Sequence, residues 1–299
     1  MRIVGKLLRP FAVREFNRAL LRETELLKPH LFLAVKGSYV QADTLRAMRQ
    51  LGAKLYCFYP DVSFMVHGRY LPHALKEYDW IFTTKSFGPK DLKNRLGVEK
   101  SSFLPHAFDP EVHQPRPVTA EALETFGCDV SFIGGHSPGK QKVLEELIRR
   151  RPDLKLKIWG DRWQNLPKDS PLRPYATFQA IFGIGYATAI SCSKINLGLL
   201  SEKVFGASSG DKITSRTFHI PASGGLLLHQ RTKDLLEIFV EDESCVCFGD
   251  IDELVEKIDW LLANEEMRKT IAARGREVVN EFHSWDHRVR TILEHYAGH

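Results

Sequence analysis

Asp129-Val130-Ser131-Phe132-Ile133-Gly134-Gly135-His136-Ser137-Pro138-Gly139-Lys140-Gln141-Lys142 decides the reading of this chain. Residues 129–133 combine β-branched and aromatic side chains and predict a strand, the glycines predict a tight loop, and 141–151 continues as a helix. A strand that feeds a helix through a short loop is one βα unit, and repetition of that unit builds parallel sheets.

Working outward, the unit recurs on both sides. Downstream, strands are expected at 154–159, 195–200, 226–229 and 245–248, with helices over 214–222, 251–263, 265–281 and 284–296. Upstream, strands are expected at 31–35, 54–59, 80–84 and 102–104, with helices over 13–27, 42–51 and 89–96, the last two closed by Gly52 and Gly97. Between the two sets, 109–118 carries Pro110, Pro115 and Pro117 and reads as a linker, because proline breaks both helix and ladder. The expected fold class is therefore α/β with two Rossmann-like halves, 1–112 and 119–282. The closing segment 283–299 is expected to cross back onto the first half, against the simpler alternative of a surface helix on the second. Halves of this kind take ligands at the carboxyl ends of their strands, and a cleft between two of them is a natural site.

Composition narrows the class. At 299 residues, with 43% hydrophobic and 26% charged, the chain can bury two cores and is not a disordered polypeptide. Its net charge of +5 leans only weakly towards anionic ligands. Five cysteines without CxxC or zinc-type spacing exclude a disulfide framework and a structural zinc site; Cys245-Val246-Cys247 reads as buried strand. No apolar run approaches the roughly 20 residues that cross a bilayer, so a soluble, cytoplasmic protein is expected. The basic start, 1–22, suits either a membrane surface or a solvated helix face.

Two segments carry candidate chemistry. The loop from Gly134 to Lys142 would offer main-chain amides, a helix N-terminus and the charge of Lys140 or Lys142 to a phosphate, although it matches neither dinucleotide nor P-loop spacing, and an ordinary βα turn fits equally. In Gly210-Asp211-Lys212-Ile213-Thr214-Ser215-Arg216-Thr217-Phe218-His219, Thr214 or Ser215 can cap a helix that carries Arg216 in its first turn. Asp211 and His219 could project into one cleft, and a capping Asp with a structural His is the alternative.

The run from Ser215 to His229, with His283-Ser284-Trp285-Asp286-His287-Arg288 downstream, resembles the spore-maturation (CgeB-type) glycosyltransferases of the GT-B superfamily. Lys36-Gly37-Ser38-Tyr39, Phe58-Tyr59-Pro60-Asp61, Leu104-Pro105-His106-Ala107-Phe108-Asp109 and Ile158-Trp159-Gly160-Asp161 extend the likeness over nearly the whole chain. The resemblance implies a GT-B-like fold, two Rossmann-like domains facing a central cleft, and transfer of a sugar from a UDP- or GDP-linked donor with retention. It implies no metal and no cofactor beyond that co-substrate. Asp211 and His219 stand at the two positions of the Glu-x7-Glu motif, the first on the sugar and the second on the ribose. Lys140 or Lys142 and Arg216 would neutralise the diphosphate, with Gly134, Gly135, Gly160 and Thr217 completing the donor side.

On the acceptor side the candidates at strand ends are Lys36, Gly37, Tyr39, Asp61, His67 and His106. Asp61, His106 and Asp211 are the catalytic candidates, Asp61 being weighed against a loop Asp that caps a turn. The family's first strand would fall at 1–5, shortened or absent, and a missing edge strand would favour oligomers. The acceptor is open among glycan, protein, lipid and a modified base in nucleic acid. A non-catalytic module that binds the nucleotide sugar is the competing class.

Overall fold

The computed structural model describes residues 2–298, with side chains described from Leu8 onward. In chain order the first elements are α1 (Arg2–Leu27), β1 (Leu31–Val35), α2 (Ala42–Gln50), β2 (Lys54–Tyr59), α3 (Leu71–Ala74), β3 (Trp80–Thr83), α4 (Gly88–Leu96) and β4 (Ser101–Phe103). There follow α5 (Ala120–Phe126), β5 (Cys128–Ile133), α6 (Pro138–Arg150), β6 (Leu156–Trp159), α7 (Gly183–Ser191), β7 (Ser193–Gly198) and α8 (Arg216–Ala222). The chain closes with β8 (Leu227–Gln230), α9 (Lys233–Leu236), β9 (Val246–Phe248), α10 (Ile251–Ala263), α11 (Glu265–Phe282) and α12 (Trp285–Ala297).

These elements form two compact units, one of residues up to Pro105 plus Lys203–Asp211, the other of His106–Glu202 plus the residues from Lys212 on. The first unit holds a parallel sheet in the order β1-β2-β3-β4. Its central strand β2 is buried at every position after Lys54, as an unbroken Leu-Tyr-Cys-Phe-Tyr run requires when helices cover both faces. Helix α4 stops at Gly97, whose φ of +71° is the left-handed C-cap that glycine adopts without strain.

The second unit holds a five-stranded parallel sheet in the order β6-β5-β7-β8-β9. Successive strand residues enter opposite cores: Leu228, Val246 and Phe248 join one cluster, Leu227, Cys245 and Cys247 the other. The cysteines are buried thiols on that pattern. The strand order reverses at β5, which has the next strand in sequence, β6, on one side and the following one, β7, on the other. A crevice at the carboxyl ends of strands is expected at such a point.

Several boundaries differ from those expected of the sequence. The first unit ends at Pro105, not 112, because the proline-rich stretch is bound into the second unit. Phe108 bridges to Ser284, and Pro115 packs against Gly224. Residues 203–211, expected in the second half, belong to the first unit: the Ser208 amide donates to the Asp91 carboxylate at 2.8 Å, and Lys85 meets Asp211 at 2.6 Å. The segment 283–299 groups with the second unit, where the Arg288 guanidinium bonds the carbonyls of Phe282 and His106 and lies over the Phe218 ring. At the amino end, 2–5 are the first turn of α1 rather than a strand, and Met1 lies outside the described residues. Helices α3, α5, α7 and α9 were not expected; α7 is rich in Gly, Ala and Ile and has no amphipathic period to reveal it.

Candidate active site

A cavity of about 280 Å³ opens in the second unit at the strand-order reversal. Its walls are Ile133, Gly134 and Gly135 after β5, Gly160 and Asp161 after β6, the 180–183 loop before α7, Tyr186 of α7, and Ser215, Arg216 and His219 at the start of α8. His113, from the proline stretch, completes it. Four of the expected donor glycine and cation positions, Gly134, Gly135, Gly160 and Arg216, are thereby brought to one place, together with His219.

Glycine is required at the two loops for a steric reason. Gly160 has φ +145°, and a Cβ there would stand 2.1 Å from the Gly134 carbonyl oxygen; a Cβ on Gly134 would stand 2.7 Å from the Arg216 guanidinium. The Gly134 amide donates to Trp159 O at 2.8 Å and the Gly134 carbonyl accepts from the Trp163 indole at 2.9 Å. Arg216 donates to Leu199 O at 2.6 Å and stacks over Phe132 at 5.3 Å, so its charge is held at the carboxyl end of the sheet.

The imidazoles of His113 and His219 stack at 3.8 Å, with Tyr186 edge-on to both. His219 Nε2 lies 3.0 Å from the Ala107 carbonyl, which can only accept, so Nε2 carries the proton and Nδ1 is an acceptor. His113 Nδ1 accepts the Asp109 amide at 3.0 Å, which puts its proton on Nε2. Burial, then the neighbouring imidazole, holds His219 well below the usual histidine range; burial also lowers His113. Both rings are neutral at pH 7, and neither competes with Arg216 for an anion.

Other expected donor residues stand elsewhere. Lys140 is buried in the first turn of α6, its ammonium bonding Ser201 Oγ at 2.9 Å and Gly135 O at 3.3 Å, while Lys142 is exposed on the same helix. Thr217 is fully buried and ties the loop together, accepting from the Thr214 amide at 3.0 Å and meeting His229 Nε2 at 3.1 Å. Asp211 lies in the first unit against Lys85, both side chains buried. The α6 N-terminus holds a carboxylate already: Glu202 accepts from the Gly139 amide. Burial would raise the Glu202 carboxyl, but hydrogen bonds from its own backbone and from the Gly139 amide, with Lys140 nearby, hold it below its ordinary range.

In the first unit, Asp61 follows β2 and meets Lys36 Nζ at 2.6 Å and His67 Nε2 at 3.3 Å. Burial, with Lys36 nearby, lowers His67 against the opposing pull of Asp61, so its ring is neutral at pH 7. Lys36, Gly37, Tyr39 and His67 line a second cavity. His106 opens the second unit, where its carbonyl accepts from Arg288 at 3.2 Å, and it is not part of the cavity wall at β5. Among the described residues no group of three or more His, Cys, Asp or Glu is placed to hold a metal. No helix of the described residues is long and apolar enough to cross a membrane.

Residues missed from the sequence had weak local signals. His113 was hidden in a stretch read only as linker, and Ala180-Ile181-Phe182-Gly183 follows no strand or helix period. Lys85 and Glu202 follow strands, where a charged residue has no distinguishing spacing.

Solved structures share this fold. The chain is similar to sucrose-phosphate synthase from Thermosynechococcus elongatus at 14% identity, covering 96% of this chain and 77% of that one with a TM-score of 0.66. A glycosyltransferase from Rickettsia africae matches at 15% identity, 96% and 81% coverage and a TM-score of 0.66. HepE from Anabaena, crystallised with UDP, matches at 11% identity, 95% and 82% coverage and a TM-score of 0.65. At such identities the likeness shows the fold, that of the GT-B glycosyltransferases. A family model described as glycosyl transferase-like matches residues 139–294, more than half of the chain, and the chain belongs to that family. No curated protein sequence matches.

Proposed function

We propose that this protein transfers a sugar from a nucleoside-diphosphate donor, and that the cavity at the carboxyl ends of β5 and β6 takes the nucleotide. The observation that carries the reading is the convergence of Gly134, Gly135, Gly160, Arg216 and His219 on one cavity, of which Gly160, Arg216 and His219 lie inside the family-matched residues 139–294. Arg216 supplies the full positive charge beside main-chain amides, which suits a leaving diphosphate without a metal ion. UDP is the first nucleotide to test, since HepE, of the same fold, has been crystallised with UDP and with UDP-glucose. A guanine donor is the second.

His219 takes the ribose in this reading, Nδ1 accepting from one hydroxyl. That is one acceptor where a carboxylate offers two, so the neighbouring His113 Nε2–H is the natural partner for the second hydroxyl oxygen. Retention of the anomeric configuration and membership of the CgeB-type branch rest on the likeness of the 215–229 run. Asp61, held by Lys36, is the carboxylate proposed to position the acceptor, and Asp211 acts through its pairing with Lys85 rather than on the sugar. Calorimetry with UDP, GDP and their glucose conjugates tests the donor site: Arg216→Ala should weaken the preferred nucleotide by about tenfold or more. Equal affinity of wild type and Arg216→Ala would overturn the assignment. Proton NMR of the transferred sugar's anomeric signal tests retention, and an inverted product would refute it.

A further inference from the structure

The second cavity, about 520 Å³ at the carboxyl ends of β1 and β2 in the first unit, has its own built lining. Lys36 and Gly37 both adopt left-handed backbone, φ +67° and +65°. For a lysine this conformation is uncommon and costs about 1 kcal/mol or more, so the surrounding structure must hold it. Asn17 of α1, itself 4% exposed, does so: its amide nitrogen donates to Tyr39 O at 2.9 Å and its oxygen accepts from the Gln41 amide at 2.9 Å. On the other flank a Cβ at position 37 would stand 2.9 Å from the Tyr78 hydroxyl, so glycine is needed there.

The turn so fixed leaves polar groups unspent. The Gly37 and Val40 amides are bonded to Val35 O and Gly37 O, whereas the Ser38 and Tyr39 amides have no partner among the described residues. The Ser38 hydroxyl and the 4%-exposed Tyr78 hydroxyl are likewise buried without one. Lys36 and Arg9 bring two positive charges to the same wall, of which Asp61 offsets one. Unpaired donors beside uncompensated positive charge suit an oxyanion.

We propose that this cavity binds an anionic group of the acceptor, a phosphate monoester or a carboxylate, through Arg9, Lys36, the Ser38 hydroxyl and the Ser38 and Tyr39 amides. Asp61 is not in the cavity wall but pairs with Lys36 and His67, which are, so it acts on the same acceptor by holding those side chains. The assignment of this ligand as acceptor rests on the donor reading above; the anion site itself does not.

The test uses the full-length protein in two arms. In the first, inorganic phosphate is titrated alone while amide NMR signals are followed: those of Ser38 and Tyr39 should shift, and Arg9→Gln and Ser38→Ala should each weaken the response about tenfold. Arg216→Ala, in the other unit, should leave it unchanged. In the second arm, transfer from the preferred nucleotide sugar is compared for glucose 6-phosphate, glucuronate and glucose. Phosphate or carboxylate acceptors should exceed glucose at least tenfold in kcat/KM, and Arg9→Gln should erase the difference through KM; the ratio of the two anions tells phosphate from carboxylate. Absence of shifts at Ser38 and Tyr39, or an Arg9→Gln protein that responds like wild type, overturns the anion site. Shifts at this turn in a protein that binds no nucleotide would leave the site standing and remove the donor reading.

Discussion

The pairing of Lys85 with Asp211 and that of Lys36 with Asp61 are both 2.6 Å long, yet their surroundings predict opposite responses to mutation. Lys85 and Asp211 are 5% and 7% exposed, so Lys85→Met strips compensation from a buried carboxylate and should cost about 3 kcal/mol in urea unfolding. Lys36 and Asp61 are 39% and 34% exposed, water screens them, and Lys36→Met should cost less than about 1 kcal/mol. Equal losses would mean that burial is not what separates them. At Gly160, alanine must adopt φ +145° with its Cβ against the Gly134 carbonyl, so Gly160→Ala should destabilise the second unit by more than about 2 kcal/mol and abolish nucleotide binding. Gly160 and Arg216 were expected on the donor side from the family resemblance alone, and both line the cavity at β5. The spacing of Asp211 to His219 matches a donor motif, but spacing says nothing of the pairing of Asp211 with a lysine 126 positions away.

Among the elements, α12 shows how a terminal helix is anchored and what acid does to it. Ser284 caps it and His287 returns the bond, while His283 just before it packs on Phe218 at 5.1 Å and accepts from Arg288 at 2.7 Å. Burial, with Arg288 beside it, lowers His283 to about 4. Because the folded value is depressed below the ordinary histidine value near 6.5, the unfolded chain takes the proton first. The stability contribution is whole above about pH 6.5, falls as pH drops towards 4, and amounts to about 3 kcal/mol. His113 and His219 add to the loss in the same direction. Urea unfolding from pH 7.5 to 4.5 should show this decline, and His283→Gln should flatten it; an unchanged slope would contradict the assignment. Strands and long amphipathic helices were readable from period alone, including the burial of Cys247 in β9. Helix α7 and the docking of 203–211 on the first unit were not, because the first lacks a polar face and the second is fixed by contacts with Asp91 and Lys85 far away in sequence.

For the whole molecule, two parallel α/β units were predictable because each strand is a separate apolar run and most of the breaks carry glycine or proline. The exact division was not: prolines mark a stiff segment without saying which unit it packs on, and here His113 joins the second unit's cavity. On the proposed donor reading the nucleotide has a site in the folded second unit and none in the unfolded chain, so at one hundred times its dissociation constant it should add about 2.7 kcal/mol and raise the melting temperature. Gly160→Ala protein should gain nothing. The most direct test of the central claim is a calorimetric titration of UDP-glucose into wild type and Arg216→Ala: saturable one-to-one binding by the first, weakened about tenfold or more in the second, is the predicted result. No heat with UDP-, GDP- or their sugar conjugates, or identical isotherms for both proteins, would contradict it.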